Sequence, residues 1–137
     1  MIMTYQTWRK RTLGLMGALM LDAILGIALT TVVNFDPSKH STTQDVLLVL
    51  HILIAIAIII GGIVQLVVSI RKQMLRLPIT VGFVSSLLAF GAGGISADHS
   101  NNVAVFTMAV CFIIALAAYG YSQTQLSNKV LAESSQK

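Results

Sequence analysis

Residues 46–70 read VLLVLHILIAIAIIIGGIVQLVVSI, a run of 25 positions without a charged side chain. A helix rises 1.5 Å per residue, so roughly 20 mainly apolar residues cross the hydrocarbon core of a bilayer. The run is therefore long enough to span a membrane and to tilt within it. It predicts a transmembrane helix over about 44–70.

Three further apolar segments lie on either side of this run, and short polar connections separate them. The whole chain of 137 residues is 55% hydrophobic and only 10% charged, whereas soluble domains carry about 25% charged residues. The composition predicts an all-α integral membrane protein, a single domain folded as an antiparallel four-helix bundle. No room is left for a soluble catalytic domain. The other predicted helices are about 12–33, 78–95 and 100–122, followed by a polar tail at 123–137.

The basic residues are distributed unevenly between the two predicted sides of the membrane. Eight of them fall on one side and only Lys39 on the other, which by the positive-inside rule places both termini and the tail in the cytoplasm. Several aromatic residues lie near the same boundary, where interfacial aromatics are expected. The eight basic residues are Arg9, Lys10, Arg11, Arg71, Lys72, Arg76, Lys129 and Lys137; the aromatics are Tyr5, Trp8, Tyr119 and Tyr121.

The net charge of +4 does not indicate a nucleic-acid-binding protein, because the basic residues sit in short clusters at helix ends rather than in a stripe. The single cysteine, Cys111, lies inside an apolar run and is expected to be a packing residue. We expect a multi-pass protein of a cell membrane, a prokaryotic plasma membrane, with the lipid bilayer as its surroundings. A larger membrane complex or a homo-oligomer remains open as a partner.

Two histidines are placed where they could hold a cofactor. His51 lies near the outer end of the second predicted helix, and His99 lies in the link between the third and fourth. Two imidazoles that face each other across a bundle at matched depth form an axial pair for heme iron. Two alternatives remain open: His51 forms a hydrogen bond with a polar loop group while His99 is a solvated helix-cap residue, or a bare metal ion is bound. His40 falls in the first polar connection and is not expected to be a ligand.

Glycines and phenylalanines near the same predicted end could line such a cofactor. Glycine allows a flat ligand to approach a helix closely, although small residues in membrane helices also serve ordinary helix packing. The glycines are Gly91, Gly93 and Gly94, and the phenylalanines are Phe90 and Phe106.

Asp22 is the one acidic residue in the middle of a predicted span. It belongs to a stripe of small residues, Gly14, Ala18 and Gly26, that recurs every four positions and predicts a packing seam. Asp22 is therefore expected to face protein, with Gln65 or Thr30 as hydrogen-bond partner. A structural hydrogen bond, a proton relay and the coupling acid of a small exporter are the three roles open to it.

The residues around the histidines resemble a known membrane architecture. Val49-Leu50-His51-Ile52, a third helix that ends in glycines, and His99-Ser100-Asn101-Asn102 resemble the four-helix heme-binding unit of heme A synthase-like and small b-type cytochrome membrane proteins. The resemblance covers about residues 44–122. It implies one heme b near the outer face, held by His51 and His99. Leu47 and Leu48 stand where the synthases have an acidic residue, so heme hydroxylation is not expected.

The expected function is accordingly heme binding for electron transfer or heme handling, rather than catalysis by the chain alone. Two other classes remain open. Small multidrug exporters also have four helices and one membrane acid in the first of them, which Asp22 matches, although their acid is usually glutamate. The third class is a non-catalytic subunit that packs against a larger membrane complex.

Overall fold

A computed structural model describes residues 4–32, 42–98 and 102–135. These parts of the chain form four α-helices and no strand: α1 over Tyr5–Val32, α2 over Thr42–Lys72, α3 over Arg76–Asp98 and α4 over Asn102–Ser134. Each helix is long and apolar enough to cross a membrane. The predicted fold class, an all-helical four-helix bundle of membrane type, is confirmed.

α2 and α3 extend beyond both boundaries predicted from hydropathy, α1 extends beyond its predicted start, and α4 extends beyond its predicted end. α1 begins at Tyr5 instead of Thr12, and the Thr4 hydroxyl caps it by accepting a hydrogen bond from the Thr7 amide at 3.2 Å. At the other end of the chain, α4 continues to Ser134, so most of the segment 123–137 is helical. Leu126 is fully buried within that segment, and its packing accounts for the additional turns.

The distribution of polar and apolar side chains is that of a protein surrounded by lipid. Large apolar residues such as Ile24, Phe106 and Ile113 are more than 60% exposed. Polar side chains, among them Asp22 and Gln65, are buried between the helices. A bilayer accepts an apolar exterior, and polar groups within it need partners inside the protein. The chain is a multi-pass membrane protein.

The four helices are arranged as a ring in chain order. α1 packs against α2 and α4, and α3 packs against the same two helices, with the α3–α4 pair in the most extensive contact. Gly82 and Gly93 of α3 lie against Tyr119 and Met108 of α4, and small residues of this kind favour close packing of membrane helices. The first half of α1, the end of α2, the start of α3 and the end of α4 share one end of the bundle, which we call the basic end because Arg11, Arg71, Lys72, Arg76 and Lys129 lie there.

The centre of the bundle is built around Tyr119, which is fully buried. Its ring lies against Gly82, where an added Cβ would come within 3.0 Å of two ring atoms. Trp8 is fully buried as well. The sequence predicted that both lie near the membrane boundary as interfacial aromatics, and it did not predict that their side chains are buried within the protein.

The turn between α2 and α3 closes the basic end tightly. Gln73 and Leu75 adopt positive φ angles of 54° and 56°. Ser69, fully buried, donates a hydrogen bond to the Met74 carbonyl at 2.7 Å. Tyr5 of α1 donates its hydroxyl to the Met74 sulfur at 3.4 Å. The turn is thus held against the start of α1, and this contact ties the start of α1 to the end of α2.

Candidate functional site

The central feature of the candidate site is a contact between an acid and an imidazole inside the bundle. Asp22 of α1 places Oδ1 2.9 Å from Nδ1 of His51 on α2. The Asp22 side chain is 6% exposed and that of His51 25% exposed. The two atoms are within ion-pair distance, and neither has a hydrogen-bond partner among the described residues. The two side chains therefore depend on each other.

A glycine makes room for this pair. Gly26 lies one turn beyond Asp22 on α1, and an added Cβ there would lie 3.7 Å from Cε1 of His51. The imidazole consequently rests against the α1 backbone, beside the acid. The small-residue stripe predicted on α1 thus does face α2, and Asp22 faces protein as expected.

A second polar pair fixes the register of the same two helices. Trp8 of α1, fully buried, donates its indole N–H to Oε1 of Gln65 on α2. Fourteen residues separate Trp8 from Asp22, and fourteen separate His51 from Gln65. Because α1 and α2 are antiparallel, this equal spacing lets the two members of each pair lie at the same depth. The two pairs are about 21 Å apart along the bundle at 1.5 Å per residue.

This register corrects the expected partner of Asp22. Gln65 lies about 21 Å from the depth of Asp22 and is engaged by Trp8 instead. Among the described side chains, the partner of Asp22 is His51. The side chain of Thr30, the other expected partner, lies outside the described residues.

The pair can hold a proton without carrying net charge. It is neutral overall either as carboxylate with imidazolium or as carboxylic acid with neutral imidazole, and the two forms contain the same number of protons. Loss of one proton leaves a single negative charge inside the span, which is costly at that depth. Among the described residues, no arginine or lysine forms an ion pair with Asp22.

The residues expected to line a heme are not gathered around His51. Gly91 and Gly94 are exposed and open, while Gly93 faces α4, where an added Cβ would lie 3.2 Å from the Met108 sulfur. Phe90 packs against the central core, and Phe106 is 70% exposed on the outside of the bundle. His99 and His40 lie outside the described residues. The proposed ligand pair His51 and His99 thus stays a prediction.

The described residues offer no cluster for a metal ion on their own, since no three side chains of His, Cys, Asp or Glu come together within them. His51 nevertheless keeps Nε2 outside its contact with Asp22, because that contact uses Nδ1. A histidine held in this way by a carboxylate is oriented for ligation through its other nitrogen.

Fold and site together define a class: a four-span membrane protein with an acid–imidazole pair between its first two helices. Comparison with known proteins does not narrow the class, because no protein-family model, no curated protein and no solved structure matches the chain.

Asp22 and His51 were each singled out from the sequence, but their pairing was missed. The sequence did contain a signal for this pairing: Asp22 and His51 lie at nearly the same distance from the connection between α1 and α2. Asp22 lies ten residues before the end of α1, and His51 lies nine residues after the start of α2. A helical hairpin closed at this connection brings such positions level.

Proposed function

We propose that this chain is a small proton-coupled exporter of a prokaryotic plasma membrane, with Asp22 and His51 as its proton-binding site. The observation that carries the proposal is the 2.9 Å contact between these two side chains within the spans. Ionisable residues within membrane spans are costly, and substrate pathways and proton relays are among their established uses.

The charge balance of the pair indicates what it would exchange for the proton. When the proton leaves, one negative charge remains on the pair, and a positively charged apolar solute at the same place offsets that charge. Proton and cation then compete for one site: binding of the cation releases the proton, and return of the proton expels the cation. Asp22 would be the competing acid, and His51 would orient it and share the proton.

The proton-binding claim is tested by difference infrared spectroscopy of the protein in liposomes as pH is varied. We expect a carboxylic acid C=O band that changes with pH, disappears in Asp22→Asn and moves in His51→Gln. Asp45→Asn, which alters an exposed acid in the first turn of α2, is the matched control and should leave the band intact. A spectrum in which Asp22→Asn removes no pH-dependent carboxyl or carboxylate band would contradict the proposal.

The transport claim is tested separately. Cells that express the chain should tolerate lipophilic cations better than cells that express Asp22→Asn, at equal protein levels. If the infrared band is present but the parent gives no resistance to any cation tested, the proton site stands and the exporter assignment is wrong.

A second candidate is binding of heme b for electron transfer or heme handling. The observation in its favour is the carboxylate on Nδ1 of His51, which is the arrangement that orients ligating histidines and leaves Nε2 for the metal. Asp22 would act here as the positioning residue of His51. Phe106 was predicted to line the heme, but its side chain lies on the outside of the bundle, which does not favour that role. Bound heme would supply the redox chemistry.

Heme binding is tested by the visible spectrum of protein expressed with ample heme. Two imidazole ligands predict a low-spin spectrum that is lost or becomes high-spin in His51→Ala and in His99→Ala, because each variant removes one axial bond. His40→Ala is the control and should leave the spectrum unchanged. Absence of a Soret band would rule out this second candidate and leave the first untouched.

A further inference from the structure

A groove runs along the outside of the α1–α2 seam in the basic half of the bundle. Its volume is about 330 Å³, and its walls include Gly14 and Ala18 of α1 and Ala57, Gly61 and Val64 of α2, with Arg11 at the basic end. An added Cβ on Gly14 would meet no atom within 4 Å. The groove is therefore open space and is not filled by the chain's own side chains.

Arg11 gives this apolar groove a positive end. It is exposed and is the last residue of the basic triplet Arg9-Lys10-Arg11. Asp22, the acidic residue on the same helix, is too far away to neutralise Arg11. It lies eleven residues from Arg11, or about 16 Å along α1, and its ion-pair partner is His51. No described acidic side chain pairs with Arg11.

We propose that the α1–α2 groove binds an anionic phospholipid, with one acyl chain along the small residues and the phosphate on Arg11. Apolar walls suit an acyl chain, and basic pockets beside transmembrane helices on the cytoplasmic side suit acidic headgroups. This lipid site goes beyond the proposed function and does not rest on it.

Charge favours the lipid over a second copy of the chain. Small residues such as Gly14 and Ala18 could also accept a helix from another protomer. Symmetric pairing through this groove would, however, bring the two basic triplets close together, and like charges repel. An anionic headgroup instead neutralises Arg11.

The single tryptophan provides a probe beside the groove. Trp8 donates a hydrogen bond to Gln65, and Gln65 contributes to the groove wall. The experiment measures quenching of Trp8 fluorescence in phosphatidylcholine vesicles that contain a small fraction of brominated phosphatidylglycerol or, for comparison, brominated phosphatidylcholine. We expect the anionic lipid to be preferred about five-fold, the preference that one arginine near an anionic headgroup gives.

Two pairs of variants separate charge from shape. Arg11→Gln should remove the preference, whereas Arg71→Gln, which alters an exposed basic residue of α2 away from the groove, should keep it. Gly14→Leu should fill the groove and reduce quenching by the anionic lipid. Gly17→Leu is the matched control, because Gly17 is equally open but does not line the groove.

Three outcomes would overturn the proposal. They are equal quenching by the two brominated lipids in the parent, a preference that survives Arg11→Gln, and indistinguishable behaviour of Gly14→Leu and Gly17→Leu. A parent dimer that Gly14→Leu converts to a monomer, with no lipid preference in either, would assign the groove to a second copy instead.

Discussion

Replacing His51 with leucine is expected to lower the free energy of unfolding by about 3–5 kcal/mol, the usual cost of removing one partner from a buried ion pair. The variant leaves the Asp22 carboxyl, whose side chain is 6% exposed, without a partner between two helices. Asp22→Leu should cost less, about 1–3 kcal/mol, because His51 is a quarter exposed and can stay neutral. Reversible unfolding of the detergent-solubilised protein by SDS measures both values.

The double variant Asp22→Leu/His51→Leu distinguishes a coupled pair from two independent residues. Replacing a whole buried pair by apolar side chains is often neutral or stabilising, so the double variant should return to within about 1 kcal/mol of the parent. Asp45→Leu, at the exposed start of α2, serves as the control and should stay within about 0.5 kcal/mol. Costs that simply add in the double variant would show that the two side chains do not interact.

Trp8→Ala is expected to destabilise the protein by about 3–5 kcal/mol, as large-to-small changes at buried aromatic residues do. Trp8 is fully buried, and its removal opens a cavity and takes away the hydrogen-bond donor to Gln65. Gln65→Leu keeps the indole but leaves its N–H without that acceptor, which should cost about 1–3 kcal/mol. The same SDS titration reports both variants.

The control for Trp8 lies on the lipid-facing side of the same helix. Leu13 is 57% exposed, so Leu13→Ala should leave the free energy of unfolding nearly unchanged in detergent, which surrounds that position in the folded and the unfolded state. Should Trp8→Ala be no more destabilising than Leu13→Ala, the N-terminal part of α1 does not pack against α2 as described.

The four spans followed from the sequence because a membrane helix is specified locally. Inside a bilayer each backbone polar group must be satisfied within its own helix, so a run such as 46–70 needs no distant partner to be recognised. The ends of the helices did not follow. The first turns of α1 and the last turns of α4 contain polar residues, and their helical state depends on Thr4 as a cap and on the burial of Trp8 and Leu126.

The sequence alone determined that this is a four-helix membrane protein, that Asp22 faces a neighbouring helix, and that His51 is a functional candidate. Only the tertiary structure decided that these two residues meet, that Gln65 belongs to Trp8, and that Phe106 faces outward. The physical reason is that hydropathy fixes the depth of a residue only to within a few turns. The rotation and register of one helix against another arise from packing and from paired polar groups, which are properties of two segments at once.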